Sequence, residues 1–241
     1  MTTNRTVFAS AIGVAVLGML SGCGGGGETP VTAQSDPSAY YNTVLSPNYN
    51  AQRIALNGDV NTGQAPLANT TYPGAPHGMP TSGSATYNGY MLVNANRDGS
   101  TAGSPRLSME GTASVNANFT AATITGSATN FVGGVVTPDP TNVEHPFKFV
   151  NSPVNYTGTL AITGGCIGVS ASCAAVTRPN QFEANVAGTL TGEGNTVTTN
   201  TNILGDFRGS PIQGVWAANV QAANTINGAP VLGSMFLVAK P

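Results

Sequence analysis

From Leu107 to Asn118 the chain alternates without a break. Leu107, Met109, Gly111, Ala113, Val115 and Ala117 share one face, and Ser108, Glu110, Thr112, Ser114, Asn116 and Asn118 share the other. A period of two marks a strand with one buried and one wet face. A helix would scatter both sets around its circumference. The same alternation, broken by turn signals, recurs from residue 84 to the end. It predicts strands at Ser84–Val93, Leu107–Asn118, about Ala122–Val132, Pro153–Thr163, Gln181–Thr191, Thr196–Phe207, Ile212–Gln221 and Val231–Lys240. Turn chemistry separates them: Asn94 to Gly99 after the first, Gly192-Glu193-Gly194-Asn195 after the fifth, and a connection with Pro138, Pro140 and Pro146 after the third.

Eight consecutive strands with mostly short turns point to an up-and-down meander. Eight is also the number at which a closed barrel fills with its own side chains, and closure removes exposed edges. The apolar faces are rich in small residues (Gly111, Ala113, Gly126, Ala128, Gly158, Ala184, Gly188, Gly214, Gly233), which suits a narrow, strongly curved interior. Only 7% of residues are charged, so the wet faces must rely on Thr, Asn and Ser. The predicted fold is all-β, a water-soluble eight-stranded antiparallel up-and-down β-barrel over residues 84–241, with a two-sheet sandwich as the alternative. A barrel embedded in lipid needs large outward apolar residues and aromatic girdles. Here the apolar face is small, aromatics make up 7%, and the chain ends Ala239-Lys240-Pro241.

Residues 1–22 have a different character. Arg5 precedes an apolar run from Val7 to Leu20, too short for a comfortable membrane span, and Leu20-Ser21-Gly22-Cys23 closes it. The layout resembles a bacterial lipoprotein signal, in which the cysteine is acylated and becomes the mature N-terminus. Each buried methylene of an acyl chain contributes about 0.8 kcal/mol to membrane attachment. Cys23 is therefore the expected lipidation site. Gly24-Gly25-Gly26-Gly27 is a spacer without side chains to pack, and no acidic residue follows Cys23. In lipoproteins an aspartate there favours the inner membrane, so Gly24 points to the outer one. Residues 23–83 then read as a flexible, mostly irregular leader, either a tether or a small partly ordered subdomain, dense in proline (Pro30, Pro37, Pro47, Pro66, Pro73, Pro76, Pro80) and without a convincing helical period. Tyr40, Tyr41, Tyr49 and Ile54-Ala55-Leu56 offer the means to pack a short piece of it onto the barrel.

The signal carries away Arg5 and no acid, so 8 basic and 10 acidic residues become 7 and 10 in the mature chain. That leaves no basic surface for nucleic acid. With Cys23 lipidated, Cys166 and Cys173 remain. In an oxidising compartment their spacing predicts a disulfide closing a small loop, contributing about 2–3 kcal/mol.

Residues 84–241 resemble the C-terminal barrel of transferrin-binding-protein-like surface lipoproteins, whose relatives bind haemoglobin or complement factor H. The matching pieces include Ala85-Thr86-Tyr87-Asn88-Gly89, Gly111 to Phe119, Ile124 to Phe131, Tyr156-Thr157-Gly158-Thr159-Leu160 and Gly188-Thr189-Leu190-Thr191-Gly192. Gly205-Asp206-Phe207-Arg208-Gly209-Ser210-Pro211, followed by Gly214-Val215-Trp216, is the most diagnostic piece. The family's Gly-x-Phe-x-Gly-Pro turn lacks the inserted Ser210, and its next strand has a glycine and a small residue where Val215 and Trp216 stand. The resemblance implies a surface-exposed outer-membrane lipoprotein that captures an iron carrier or haem-type ligand through its loops and works with a TonB-dependent receptor. In physical terms Gly205, Phe207, Gly209 and Pro211 form a structural turn, with Phe207 and Trp216 as bulky core plugs among small neighbours.

Candidates for chemistry are few. His77 and His145 sit beside prolines in loops and read as ordinary loop histidines, so haem ligation has no motif and neither cofactor nor metal is expected. Glu183 and Glu193 lie on one strand and its following turn, without signs of the burial that would separate two carboxyl pKa values. There is no nucleophile elbow and no phosphate loop opening a helix. The chain reads as non-catalytic. It is a binding module whose loops, Val132–Asn151 and Gly164–Asn180, capture a host or environmental protein or small ligand. The alternative is a structural or adhesive envelope lipoprotein without a dedicated ligand.

Overall fold

A computed structural model describes residues 34–59, 62–68, 78–139, 147–170 and 173–241. The signal segment, Cys23, Gly24 to Gly27, His77 and His145 lie outside these residues.

The alternation in the sequence becomes long antiparallel strands. β1 (Ser84–Ala95) pairs with β2 (Leu107–Asn118) along its whole length, from Ser84 opposite Asn118 to Ala95 opposite Leu107. β3 (Thr123–Pro138) follows β2. Two short strands, β4 (Phe147–Phe149) and β5 (Val154–Tyr156), pair with the C-terminal half of β3. β6 (Leu160–Ile167) pairs with the N-terminal half of β3. β7 (Gln181–Gly192), β8 (Asn195–Arg208), β9 (Gly214–Ile226) and β10 (Ala229–Lys240) continue the meander, and β10 returns to pair with β1. Eight strands, β1, β2, β3, β6, β7, β8, β9 and β10, thus form a ring in which each is hydrogen-bonded to two neighbours.

Most strand limits fall within a few residues of those expected from alternation, with two corrections. The strand expected over Pro153–Thr163 is two, β5 and β6, broken at Gly158, whose φ of 122° lies outside the range of L side chains. β3 runs six residues past the expected Val132. It bends at a bulge: Glu110 faces Val132 but Thr112 faces Thr129, and the extra residue on β3 includes Asn130 at φ 55°.

Inside the ring lie the odd-numbered residues of β1 and β2 (Tyr87, Met91, Val93, Leu107, Met109, Val115) and their counterparts around the circle. Phe207 is fully buried at the centre of an aromatic group, its ring 5.5 Å from Phe182, 5.6 Å from Phe119 and 6.0 Å from Tyr87. A Cβ at Gly205 would strike the Phe182 ring, so the glycine makes room for this cluster. The outer side carries Thr, Ser and Asn in hydrogen-bonded rows such as Asn185 to Asn200 at 2.8 Å and Thr189 to Thr198 at 3.1 Å.

The expectation of an irregular leader is corrected over Pro37–Asn57, which is helical. α1 (Pro37–Tyr40) starts at Asp36, whose carboxylate accepts from the Ala39 amide at 2.9 Å, with Pro37 in the first turn. A π-helical turn (Tyr41–Leu45) leads into α2 (Ser46–Asn57), which ends at Gly58 with φ 75°. The wider turn lies directly before Pro47, which has no N–H to donate. The buried Leu45, Tyr49 and Leu56 fall at four- and seven-residue spacing along this stretch. Tyr49 and Leu56 pack on the outer side of the ring against Val238, with Tyr90, Leu92, Trp216 and Phe236 around them. Trp216 therefore departs from the expected core position and belongs to this outer cluster. Among the described residues no helix is long and apolar enough to cross a membrane.

Candidate functional site

Where the helical segment crosses the outer side of β1, β2, β9 and β10, it leaves a cleft of about 540 Å³. Tyr41, Tyr49, Asn50, Arg53 and Asn57 form its helical wall. Leu92, Asn94, Ser108, Glu110, Trp216, Ser234 and Phe236 form the floor, with Arg97, Val136 and the β4 residues Phe147 and Phe149 at one side. The Tyr41 and Phe149 rings meet edge to face at 5.0 Å, joining helix to β4 across the cleft.

The lid is pinned by charge as well as by packing. Arg208 stacks over the Trp216 ring at 5.7 Å, donates to the Leu67 carbonyl at 3.2 Å and the Leu56 carbonyl at 3.5 Å, and pairs with Asp206 at 3.5 Å. One guanidinium thereby ties the end of α2 and the segment after it to β8 and β9.

Glu110 is the unusual residue of the floor. Alternation puts it on the outer face of β2, where a carboxylate would normally meet water. The helical segment covers it, and it is only 2% exposed. Burial raises its pKa to about 8, against an opposing hydrogen bond from the Tyr41 hydroxyl. Its Oε1 has no hydrogen-bond partner. Burial together with the nearby Glu110 charge also raises the pKa of Tyr41 and of Tyr49, the latter opposed in part by Arg53. Asn50 has the same deficit on the opposite wall: its amide donates to the Ser46 carbonyl at 2.9 Å, while its Oδ1 is unpartnered. Buried acceptors left unpaired cost roughly 1–3 kcal/mol each. Two of them facing one cleft with aromatic walls make a site suited to a ligand that brings hydrogen-bond donors.

The residues singled out in the sequence lie elsewhere. Cys166 and Cys173 are bonded, with Cα atoms 5.8 Å apart, and enclose Val176 in a small buried cluster. Glu183 accepts from the Asn202 amide at 2.8 Å and from the Ala175 backbone at 3.2 Å, so it fastens the cysteine loop to β8. Glu193 accepts from the Val135 backbone at 3.0 Å in the β7–β8 turn. Ten residues of strand at roughly 3.3 Å each separate the two glutamates, so they share no site. Gly209, at φ 93°, and Pro211 shape the β8–β9 turn, where the Gly209 amide donates to the Ala68 carbonyl at 2.8 Å. Among the described residues no cluster of His, Cys, Asp or Glu has the makings of a metal site.

In the sequence Glu110 is one of six residues on the polar face of β2. A sharper signal was present: it is the only charged residue between Arg106 and Asp139. No protein-family model, curated protein or solved structure matches the chain.

Proposed function

We propose that this chain is an exported, lipid-anchored ligand-binding protein of the outer membrane, without catalytic activity, that uses a water-facing eight-stranded up-and-down barrel as a scaffold. The cleft under the helical segment carries this reading, because it couples a concave aromatic wall to two unpaired buried acceptors, Glu110 Oε1 and Asn50 Oδ1. The Thr, Ser and Asn rows on the outside of the ring support contact with water. Signal layout and Cys23 support the anchor. Surface display and cooperation with a TonB-dependent receptor belong to the proposal through the lipoprotein resemblance. In this proposal the binding site lies on the outer wall of the ring, beneath the helical segment, rather than in the strand-connecting loops.

Two measurements test the two halves. A Cys23→Ser chain is expected in the soluble periplasmic or medium fraction, and surface labelling of intact cells is expected to reach the parent protein. A variant still in the membrane fraction removes the anchor. For the binding half, a thermal-shift screen of small organic molecules on the Cys23→Ser protein is expected to find stabilisers. A ligand at 100 times its Kd contributes about 2.7 kcal/mol. A broad screen without a shift removes the binding site.

A further inference from the structure

The cleft's chemistry narrows its ligand. Resting on the reading of the cleft as a binding site, we infer that it takes a small organic amine with an aromatic or apolar body, the protonated nitrogen seated on Glu110 and the body between Tyr41, Phe149 and Trp216.

Three observations converge. First, Glu110 Oε1 and Asn50 Oδ1 lack partners on the walls, and once Glu110 has given up its proton both are acceptors for the N–H groups of an ammonium. A ligand rich in acceptors would leave Asn50 Oδ1 unpaired. Second, the charge balance at Glu110 asks for a cation. Burial in the cleft raises its pKa, and the Tyr41 hydroxyl opposes that effect. A buried carboxylate binds an ammonium group strongly because little else there compensates its charge. Third, the body of the site is aromatic. Phe147, Phe149, Phe236, Trp216 and two tyrosines line it, and aromatic faces favour both apolar groups and cations.

The remaining charges on the cleft are Arg53 on α2 and Arg97 at the end of β1. Tyr41 and Tyr49 face Glu110 from the helical segment, and Tyr90 senses its charge from β1. The arginines define the rival outcome, an anionic ligand seated on guanidinium groups at the other side of the cleft.

A coupling to pH follows. Glu110 in the empty cleft keeps its proton up to about pH 8, whereas a bound ammonium needs the carboxylate. Binding therefore expels a proton, and amine affinity climbs by up to about tenfold per pH unit below that value. A neutral isostere has no such dependence.

The test is isothermal titration calorimetry on the Cys23→Ser protein with phenethylamine, 2-phenylethanol and 3-phenylpropionate. The account expects phenethylamine to bind at least about tenfold more tightly than the alcohol at pH 7.5, and to weaken steadily toward pH 5.5. Glu110→Gln should lower amine affinity about ten- to hundredfold and leave the alcohol unchanged. Asn50→Leu should lower it by less. Tighter binding of the propionate, equal binding of amine and alcohol, or full amine affinity in both variants overturns the ligand class while the cleft stands as a site. Absence of binding by all three probes removes the site as well.

Discussion

Glu110 makes the fold sensitive to pH at a single residue. In the unfolded chain its carboxyl releases a proton near the ordinary value of 4.5; in the folded protein it does so at about 8. Between those values the folded state holds the extra proton, so stability is greatest below about pH 4.5 and declines as pH rises toward 8. Glu110→Gln removes this dependence. In urea titrations the variant should match the parent at pH 4.5 within about 1 kcal/mol and exceed it at pH 8.5 by an amount on the order of a few kcal/mol. Parallel curves across that range would show that Glu110 is not buried. Phe207 is a simpler case, since its ring is enclosed by Tyr87, Phe119 and Phe182. Phe207→Ala should cost about 3–5 kcal/mol in the same assay. Its role as a core plug was legible, because it stands among Gly205, Gly209 and other small neighbours. The same logic misplaced Trp216, since on adjacent strands it falls on the outward parity while Val215 and Ala217 face in.

Strands and helix differ in how openly the sequence states them. β2 is readable to the residue because a small polar side chain follows each apolar one from Leu107 to Asn118. β3, β5 and β6 are not, because the Asn130 bulge shifts the parity midway and Gly158 breaks what looks like one strand. Pro37–Asn57 is hardest, since Pro47, Asn42, Asn48, Asn50 and Asn57 are all weak helix formers. Only the spacing of Tyr41, Leu45, Tyr49 and Leu56 betrays the packed face. This helix exists through tertiary contact, as short helices generally do. Leu56→Asp should therefore release α2 from Val238 while the ring, which has its own core, stays folded. Hydrogen exchange is expected to speed up in Ser46–Asn57 and to remain slow in β1, β9 and β10. Uniform loss of protection would mean that the ring depends on its lid.

At the scale of the whole molecule, a closed ring of strands forms the floor and the helical segment the wall of the proposed site. The ring has an aliphatic and aromatic core inside and rows of neutral hydroxyls and amides outside, and on that outer side Tyr90, Leu92, Trp216, Phe236 and Val238 pack together as an apolar patch. The leader's helix covers that patch incompletely, and the uncovered remainder is the cleft. Residues 41–57, ahead of the ring in the chain, thus form one wall of that cleft. That arrangement was out of sight in the sequence because it joins residues 41–57 to residues 90–110 and 216–238, far apart in the chain. The sole tryptophan lies on the cleft wall, so its emission reports on the site alone. The decisive measurement is Trp216 fluorescence during titration with phenethylamine, on the Cys23→Ser protein and on the same protein with Ser108→Phe, which fills the floor beside Glu110. A saturable change in the first, absent in the second at unchanged circular dichroism and Tm, is the result this account predicts. An identical saturable change in both, or none in either, would contradict it.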